Sequence, residues 1–249
     1  MKTSYIERRS DVLCSEAHVW FIVPESVDDP VTLQHCHGML DAQEREKLDR
    51  FMFADDSHRY LVSHALVRSV LSLYSGIAPC DWRFSQGPHG RPEIISDSQP
   101  RLRFNLTHTN GLAACIVTLD DDCGIDAERL SERHNTLGVA KRLFSAPELE
   151  QLVQHEGQDF LEYFYAHWTL REAYVKARGI GLSLLNRQLR FAIEEKEITV
   201  KFDAAVDDCE SDWYFQLIRP AATHIAALAL HRRTDRNKHI RVRQFSFNG

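Results

Sequence analysis

Long uncharged hydrophobic runs are missing from this chain, and their absence excludes several classes of protein. No stretch approaches the roughly 18 apolar residues that a transmembrane helix needs, so no contact with a membrane is predicted. The opening residues, MKTSYIERRSD, contain no apolar segment typical of a signal peptide. The 6 cysteines are scattered and form no Cys-x-x-Cys pair, which favours reduced thiols. These features predict a cytoplasmic protein.

An excess of positive charge is also missing. The 249 residues carry a formal net charge of −6 at pH 7, so nucleic acid is not predicted as a partner. There is no GxxxxGK[ST] phosphate loop and no GxSxG elbow, which excludes two large groups of enzymes. His35, Cys36 and His37 form a small cluster, but no second ligand pair stands at a suitable spacing for zinc.

What is present is a repeated order of helix and strands. The first half has a predicted helix at 57–74, followed by strands at 101–107 and 112–119. The second half has a predicted helix at 159–178, followed by several strands that end at 223–230. The pattern predicts an α+β fold of two similar, pseudo-duplicated lobes, each a helix packed on a small antiparallel sheet.

This repeat sets the expected domain organisation. We expect an N-terminal lobe at 1–122 and a C-terminal lobe at 123–249, with the active site at their interface. A chain with two lobes can build such a cleft alone, so a monomer is expected. The basic tail from His231 fits a solvated end or an edge strand.

Two carboxylates close the predicted strand CGIDAERL. Asp126 and Glu128 are two residues apart, so their side chains point to the same face of a strand. Carboxylates held together repel each other unless a cation neutralises them, and Mg²⁺ prefers such oxygen ligands. Taken alone, the pair fits a solvated acidic turn better, because Asp120, Asp121 and Asp122 precede it.

The predicted helix at 159–178 contains the segment WTLREAYVK. Trp168, Glu172 and Lys176 recur every four residues and therefore share one face. Glu172 and Lys176 are compatible with an ordinary surface ion pair. The neighbouring Trp168 is unusual on a purely solvated face, and Arg171 offers a planar donor fork suited to phosphate.

Three further segments carry candidate anion contacts. His108 lies in NLTHT at a predicted hairpin, and Arg91 lies in the GRP turn. Arg59 lies near the start of a helix, where backbone N–H groups favour anions. Each signal is weak alone, and His64 and Arg68 of the same helix are equally compatible with an amphipathic surface.

Taken together, these segments resemble the Sfp-type phosphopantetheinyl transferases. GIDAE resembles the family's G-[IV]-D-x-E strand, and WTLREAYVK resembles its W-x-x-K-E-[SA]-x-x-K helix. FSAPE, GRP, NLTHT and HRYLVSHALVR resemble further family segments, in the same order along the chain. The resemblance covers about residues 41 to 185.

The resemblance implies a reaction and its partners. A family member transfers 4'-phosphopantetheine from coenzyme A to a serine of an apo acyl or peptidyl carrier protein, and adenosine 3',5'-bisphosphate leaves. Such an enzyme is a holo-[carrier-protein] synthase, and Mg²⁺ is its cofactor. Carrier proteins of this kind are typically acidic, so Lys141 and Arg142 are candidate contacts, as are apolar residues at 137–152.

The resemblance also implies residue roles. Asp126, Glu128 and Glu172 match the magnesium ligands, and Glu172 also matches the suggested general base, acting directly or through water. Lys176 and Glu172 are the catalytic pair in this assignment. The positions matching contacts to coenzyme A are Lys47, Arg59, Arg91, Thr107, His108, Arg171 and Lys176.

Three departures from the family pattern keep the chemistry intact. Arg171 replaces a lysine, which keeps the charge but excludes proton transfer because a guanidinium does not deprotonate. Arg91 also replaces a lysine, and Thr107 and Thr109 replace serines but keep the hydroxyl groups. We therefore expect an active enzyme.

Two other functions stay open at this point. One is a magnesium-dependent hydrolase that cleaves the pyrophosphate of coenzyme A with water, and product analysis with and without a carrier distinguishes it. The other is a non-catalytic module that binds coenzyme A or a carrier, although the intact Asp126, Glu128, Glu172 and Lys176 argue against it.

Overall fold

The computed structural model describes residues 10–87, 89–95, 101–132, 134–180, 187–195, 197–232 and 238–247. Helices and strands are mixed along the chain, so the predicted α+β class is confirmed. Two compact units are present: unit 1 comprises Met1–Asp121 and Thr234–Gly249, and unit 2 comprises Asp122–Arg233. Within the described residues, no helix combines the length and apolar character that crossing a membrane requires.

The described part of unit 1 contains three α-helices of seven residues or more and six strands. The helices are α1 (Pro30–Met39), α2 (Ala42–Leu48) and α3 (Ala54–Ser72). The strands are β1 (Glu16–Ile22), β2 (Phe84–Gln86), β3 (Pro92–Ile94), β4 (Leu102–Thr109), β5 (Leu112–Leu119) and β11 (His239–Gln244).

Unit 2 contains three helices and five strands in the part that is described. The helices are α4 (Thr136–Leu143), α5 (Ala146–Leu152) and α6 (Gly157–Arg178). The strands are β6 (Cys123–Arg129), β7 (Leu189–Ile193), β8 (Ile198–Phe202), β9 (Trp213–Ile218) and β10 (His224–His231).

The two units repeat one order of pairing. In unit 1 the sheet order is β11-β1-β5-β4, and in unit 2 it is β6-β10-β9. The first strand of each unit pairs antiparallel with the last strand of a hairpin, β1 with β5 and β6 with β10. A separate small hairpin, β2–β3 or β7–β8, lies between the long helix and that hairpin in the sequence.

Each long helix buries an apolar face in its own unit. Val62, Leu66 and Val70 of α3 belong to the same buried cluster as Phe104 and Val117 of the sheet. In unit 2, a second cluster joins α6 to β9 and β10 through Leu170, Ala173, Tyr174, Phe215, Ala227 and Ala229. Burial of these side chains, at roughly 25 cal/mol per Å² of apolar surface, is the main stabilising contribution.

The basic tail contributes the edge strand of unit 1. Residues of β11 pair in parallel with β1, from Glu16 with His239 to Phe21 with Gln244. Lys238, just before β11, forms a buried ion pair with Asp121 at 2.6 Å. The sequence-based division placed this tail in the C-terminal lobe, whereas its contacts group it with unit 1. Strand pairing between distant parts of a chain is not visible in local sequence pattern.

Buried arginines join the short and long helices in both units. In unit 1, the fully buried Arg68 forms ion pairs with Asp41 at 2.7 Å and Glu44 at 2.6 Å, the two side chains of the capping box of α2. In unit 2, Arg171 pairs in the same way with Glu148 of the Ser145–Glu148 capping box of α5. The Ser145–Glu148 capping box therefore has a second partner, Arg171, that lies outside the local sequence pattern.

Strand β6 and helix α6 approach each other at Gly124. A Cβ atom built there would lie only 2.0 Å from the carbonyl oxygen of Ala173 and 2.6 Å from the backbone nitrogen of Ala177. Both contacts are backbone atoms of α6, which no side-chain rotation can move away. Glycine at this position therefore sets the close packing of the helix on the strand.

Replacing Gly124 with alanine tests this packing. Gly124→Ala is expected to destabilise unit 2 by about 1–3 kcal/mol, because the added methyl group forces the two backbones apart. Urea denaturation followed by circular dichroism measures the change. The control is Gly38→Ala in α1, where a Cβ meets no atom within 4 Å; it is expected to stabilise the chain by up to about 1 kcal/mol. Equal effects of the two substitutions would contradict the packing argument.

Candidate active site

The carboxylates of β6 form one wall of a polar cluster in unit 2. Asp126 and Glu128 lie on the same face of the strand, opposite Ala227 and Ile225 of β10. Asp126 is only 7% exposed, whereas Glu128 is half-buried. A buried carboxylate needs a positive or donating partner, because burial penalises its charged form.

Helix α6 supplies those partners from one face. The ammonium group of Lys176 donates to Asp126 Oδ1 at 2.6 Å and to the carbonyl oxygen of Ile125 at 3.2 Å. One turn before Glu172, the indole N–H of Trp168 donates to Glu128 Oε1 at 3.2 Å. The structure therefore brings Asp126 and Lys176 into contact and places Glu128 on the same face of β6, beside Trp168 of the same helix.

The carboxyl group of Glu172 interacts electrostatically with Asp126, Glu128 and Lys176. Burial raises the pKa of the Glu172 carboxyl to about 7, and the negative charges of Asp126 and Glu128 add to the rise while Lys176 opposes it. Three carboxylates thus act on one another from two elements. Such a group is unfavourable when fully ionised unless further positive charge is supplied.

The donor chemistry of this cluster fits Mg²⁺. Carboxylate oxygens with few other protein ligands are typical of magnesium sites, which also use water and substrate phosphates. Among the described residues, no group of three or more His, Cys, Asp and Glu side chains stands close enough to hold a metal ion. In this conformation the positive charge beside Asp126 comes from Lys176.

Arg171 lies away from this cluster, which differs from its expected contact with coenzyme A. Its guanidinium group is 2% exposed, and it donates to Glu148 and to the carbonyl oxygens of His167 and Leu189. It also lies over the ring of Phe144, 4.5 Å from the centroid. Because consecutive helical residues point in directions about 100° apart, Arg171 faces the core while Glu172 faces the carboxylates.

Burial and the charge of Arg171 shift the pKa values of Glu148 and His167. Burial alone would raise the pKa of Glu148, but the charge and hydrogen bonds of Arg171 outweigh it and lower the pKa below its ordinary value. Burial lowers the pKa of His167 to about 4, so this ring is neutral at pH 7. The cluster is therefore a buried ion pair with a neutral histidine beside it.

A second polar region lies in unit 1. A cavity of about 260 Å³ is lined by residues from several segments, among them Lys47 of α2, Gly90 of the GRP turn and His108 of β4. Tyr60 and His64 of α3 line it as well. The fold thus brings Lys47 and His108, which are far apart in the sequence, to one concave surface. Asp41 and Glu44 line the same surface, and both carboxylates are paired with Arg68.

The remaining predicted contacts of unit 1 lie elsewhere. Thr107 is 4% exposed and, because strand side chains alternate, points to the opposite face from the exposed His108. Arg59 pairs with Asp56 at 3.1 Å, and Arg91 pairs with Glu93 at 3.4 Å. These three residues do not line the cavity, and their roles as phosphate contacts stay predictions.

Sequence reasoning missed a motif that the structure makes plain. Tyr60, His64 and Arg68 of α3 are spaced four residues apart, and Tyr163, His167 and Arg171 of α6 repeat the same spacing. In both units the tyrosine and histidine rings lie together, with centroids 3.9 Å and 4.2 Å apart. Arg68, which is compatible with an exposed position by sequence, is fully buried. A search for Tyr-x-x-x-His-x-x-x-Arg would have found the repeat.

Two family models match the chain, one within each compact unit. The family model described as the 4'-phosphopantetheinyl transferase superfamily matches residues 122–229. A second model, described as the N-terminal part of 4'-phosphopantetheinyl transferase, matches residues 29–118. The gap between the two matches contains the boundary of the two compact units.

Individual relatives agree with the family match. The chain is 33% identical to 4'-phosphopantetheinyl transferase HetI of Nostoc sp. over 177 residues, which is 70% of this chain and 73% of that protein. It is 30% identical to 4'-phosphopantetheinyl transferase pptA of Paxillus involutus, over 75% of this chain and 78% of that protein. Identity to 4'-phosphopantetheinyl transferase Sfp of Bacillus subtilis is 34%, over 59% of this chain and 63% of that protein. The chain belongs to the Sfp-type 4'-phosphopantetheinyl transferase family.

Proposed function

We propose that this family member transfers 4'-phosphopantetheine from coenzyme A to a serine of an apo carrier protein in a magnesium-dependent reaction. The observation that carries the proposal is the cluster of Asp126, Glu128 and Glu172 with Lys176 on adjoining faces of β6 and α6. Oxygen donors of this kind suit a phosphoryl transfer, in which positioning and charge neutralisation do most of the work.

Magnesium is assigned to the three carboxylates. When bound, the ion would supply neutralising charge for the pyrophosphate of coenzyme A. Asp126, Glu128 and Glu172 would hold it, because they act on one another electrostatically and offer hard oxygen donors. In the described conformation they do not stand close enough to hold an ion together, so binding would draw them closer.

The protein's own groups then have distinct tasks. Glu172 accepts the proton of the attacking serine hydroxyl, directly or through a water molecule. Lys176 donates to the phosphate that carries charge as adenosine 3',5'-bisphosphate leaves. Its ammonium group is partly exposed and reaches Asp126 at 2.6 Å, so it lies beside the carboxylates rather than in the core. Arg171 receives no direct role, because its guanidinium group is buried against Glu148.

The 3'-phosphate of coenzyme A, as distinct from its pyrophosphate, is assigned to the cavity of unit 1. Lys47 and His108 both line it and supply donors to an anion. The ammonium group of Lys47 lies 5.2 Å from the ring centroid of Tyr60, which orients the side chain along the cavity wall. Both residues were predicted as contacts from the sequence, and the common cavity supports that assignment.

We also propose that the two units are an internal duplication and that the chain acts as a monomer. The repeated strand order and the repeated Tyr-x-x-x-His-x-x-x-Arg segment support the duplication. When Arg68 is aligned with Arg171, Ser69 of unit 1 corresponds to Glu172 of unit 2. In the same alignment, Leu73 corresponds to Lys176. The acidic chemistry is therefore confined to one helix of the pair.

Intact mass spectrometry of apo carrier proteins tests the reaction. With coenzyme A and Mg²⁺, a carrier is expected to gain one phosphopantetheine group, and EDTA is expected to prevent the gain. Glu172→Gln is expected to reduce transfer at least about 100-fold, in the range typical of a lost general base. The control is Glu162→Gln, also on α6, where the half-buried Glu162 pairs with the exposed Arg219 and accepts a hydrogen bond from Gln158.

The products distinguish the competing activities in the same experiment. Cleavage of coenzyme A without any carrier indicates the hydrolase, and binding without cleavage indicates a non-catalytic module. Full transfer by Glu172→Gln would contradict the assignment of the base.

The coenzyme A contacts have a separate kinetic test. Lys47→Ala and His108→Ala are each expected to raise the KM for coenzyme A roughly tenfold, because each removes a charge-assisted or polar contact to phosphate. The KM for the carrier is expected to change little. Lys201→Ala, an exposed lysine of β8, is the control. An unchanged KM in both cavity variants would remove the unit 1 cavity from the substrate site.

The carrier surface is tested by charge reversal. Lys141 and Arg142 are exposed in the last turn of α4 and offer positive charge to an acidic carrier. Exchanging both for glutamate is expected to raise the carrier KM at least about tenfold, with a smaller effect at high salt. Lys201→Glu provides the matched control. If the carrier KM stays the same, the two residues lie outside the interface.

A further inference from the structure

The indole of Trp168 makes a contact that the proposed chemistry does not use. Its N–H donates to Glu128 Oε1 at 3.2 Å, across the junction between α6 and β6. We propose that Trp168 is a positioning residue that holds the Glu128 carboxylate in the orientation needed for the magnesium ion. The inference rests on the proposed metal site and adds a residue that does not itself touch the ion or the substrate.

The position of the indole is set by aromatic packing. Trp168 is stacked with Phe164, one turn earlier on α6, at a centroid separation of 6.1 Å and an angle of 20°. Phe164 is buried and stacks in turn on Phe144 at 5.7 Å. A ring held in this way has little rotamer freedom, so the direction of its N–H is fixed before any ligand arrives.

The donor has the right chemistry for orienting a charged ligand group. Indole N–H is a neutral donor that cannot act as an acceptor, so it directs one carboxylate oxygen without cancelling the charge. Lys176, one turn after Glu172, also holds a carboxylate, but its ammonium group neutralises Asp126. The indole of Trp168, by contrast, directs the Glu128 carboxylate without adding a positive charge of its own.

The expected effect on Mg²⁺ affinity follows from what groups that hold metal ligands in place usually contribute. A glutamate side chain that is free to rotate must be ordered when a metal binds, which weakens binding. Groups that hold metal ligands in place typically change metal affinity by roughly 10–100-fold. Loss of the Trp168 donor is therefore expected to weaken Mg²⁺ binding about tenfold.

Calorimetric titration of Mg²⁺ into the full-length protein measures this affinity. Coenzyme A is present, no carrier is added, and a titration into coenzyme A alone is subtracted. Trp168→Phe keeps an aromatic ring beside Phe164 but removes the N–H, and is expected to raise the Kd about tenfold. A benzothienylalanine at position 168, which replaces only the N–H by sulfur, should behave likewise and guards against a folding defect.

The matched control removes a different indole hydrogen bond. Trp20 of β1 donates through its N–H to the hydroxyl of Tyr74 at 2.8 Å, within unit 1. Trp20→Phe thus loses the same kind of bond without affecting the carboxylate cluster, and its Kd for Mg²⁺ is expected to equal that of the wild type. A comparable loss of affinity in Trp20→Phe would show a general effect of destabilisation and overturn the proposal.

A coupling experiment shows whether Trp168 acts through Glu128. In a Glu128→Gln background, Trp168→Phe is expected to change the Kd by less than about twofold, because the charged group that it orients is already gone. A further tenfold loss in that background would overturn the proposal, as would a wild-type Kd in Trp168→Phe itself. If the wild type binds no Mg²⁺ and transfers without it, the proposed metal site fails and the inference fails with it.

Discussion

The close approach of β6 and α6 at Gly124 is the contact on which the site depends. Without a side chain there, the backbone of Ala173 and Ala177 lies directly against the strand. Asp126 and Glu128, two and four residues further along β6, then come within reach of Lys176 and Trp168. A side chain at position 124 would separate the two elements and lengthen both hydrogen bonds.

Buried ion pairs hold the long helices at the correct rotation. Arg68 in unit 1 and Arg171 in unit 2 each connect a helix to the capping-box glutamate of the short helix before it. Removing one partner of such a pair leaves a buried charge, which typically costs about 3–5 kcal/mol. In unit 2 the consequence is functional, because a fixed Arg171 directs its neighbour Glu172 to the other side of α6.

This arrangement also explains why one expected role differs from the structure. By sequence, Arg171 offers a cation beside Glu172, and the family's lysine at this position suggested a phosphate contact. Its partner Glu148 is 23 residues away in the chain, so only the packed structure reveals that its donors are used in the core. Thr107 is a similar case, because strand alternation turns it away from the surface that His108 shares.

The sequence by itself determined the α+β class and the strand and helix that carry the carboxylates of unit 2, because helical and strand periodicity are local properties. The resemblance to a known family offered Lys47 and His108 as candidate contacts, which stays a prediction, and the cavity that both residues line depends on contacts between distant segments. Only the tertiary structure decided that β11 pairs with β1, that Arg68 and Arg171 are buried, and that Trp168 donates to Glu128. Each of these depends on which side chains meet after the helices pack on their sheets, and local pattern does not contain that information.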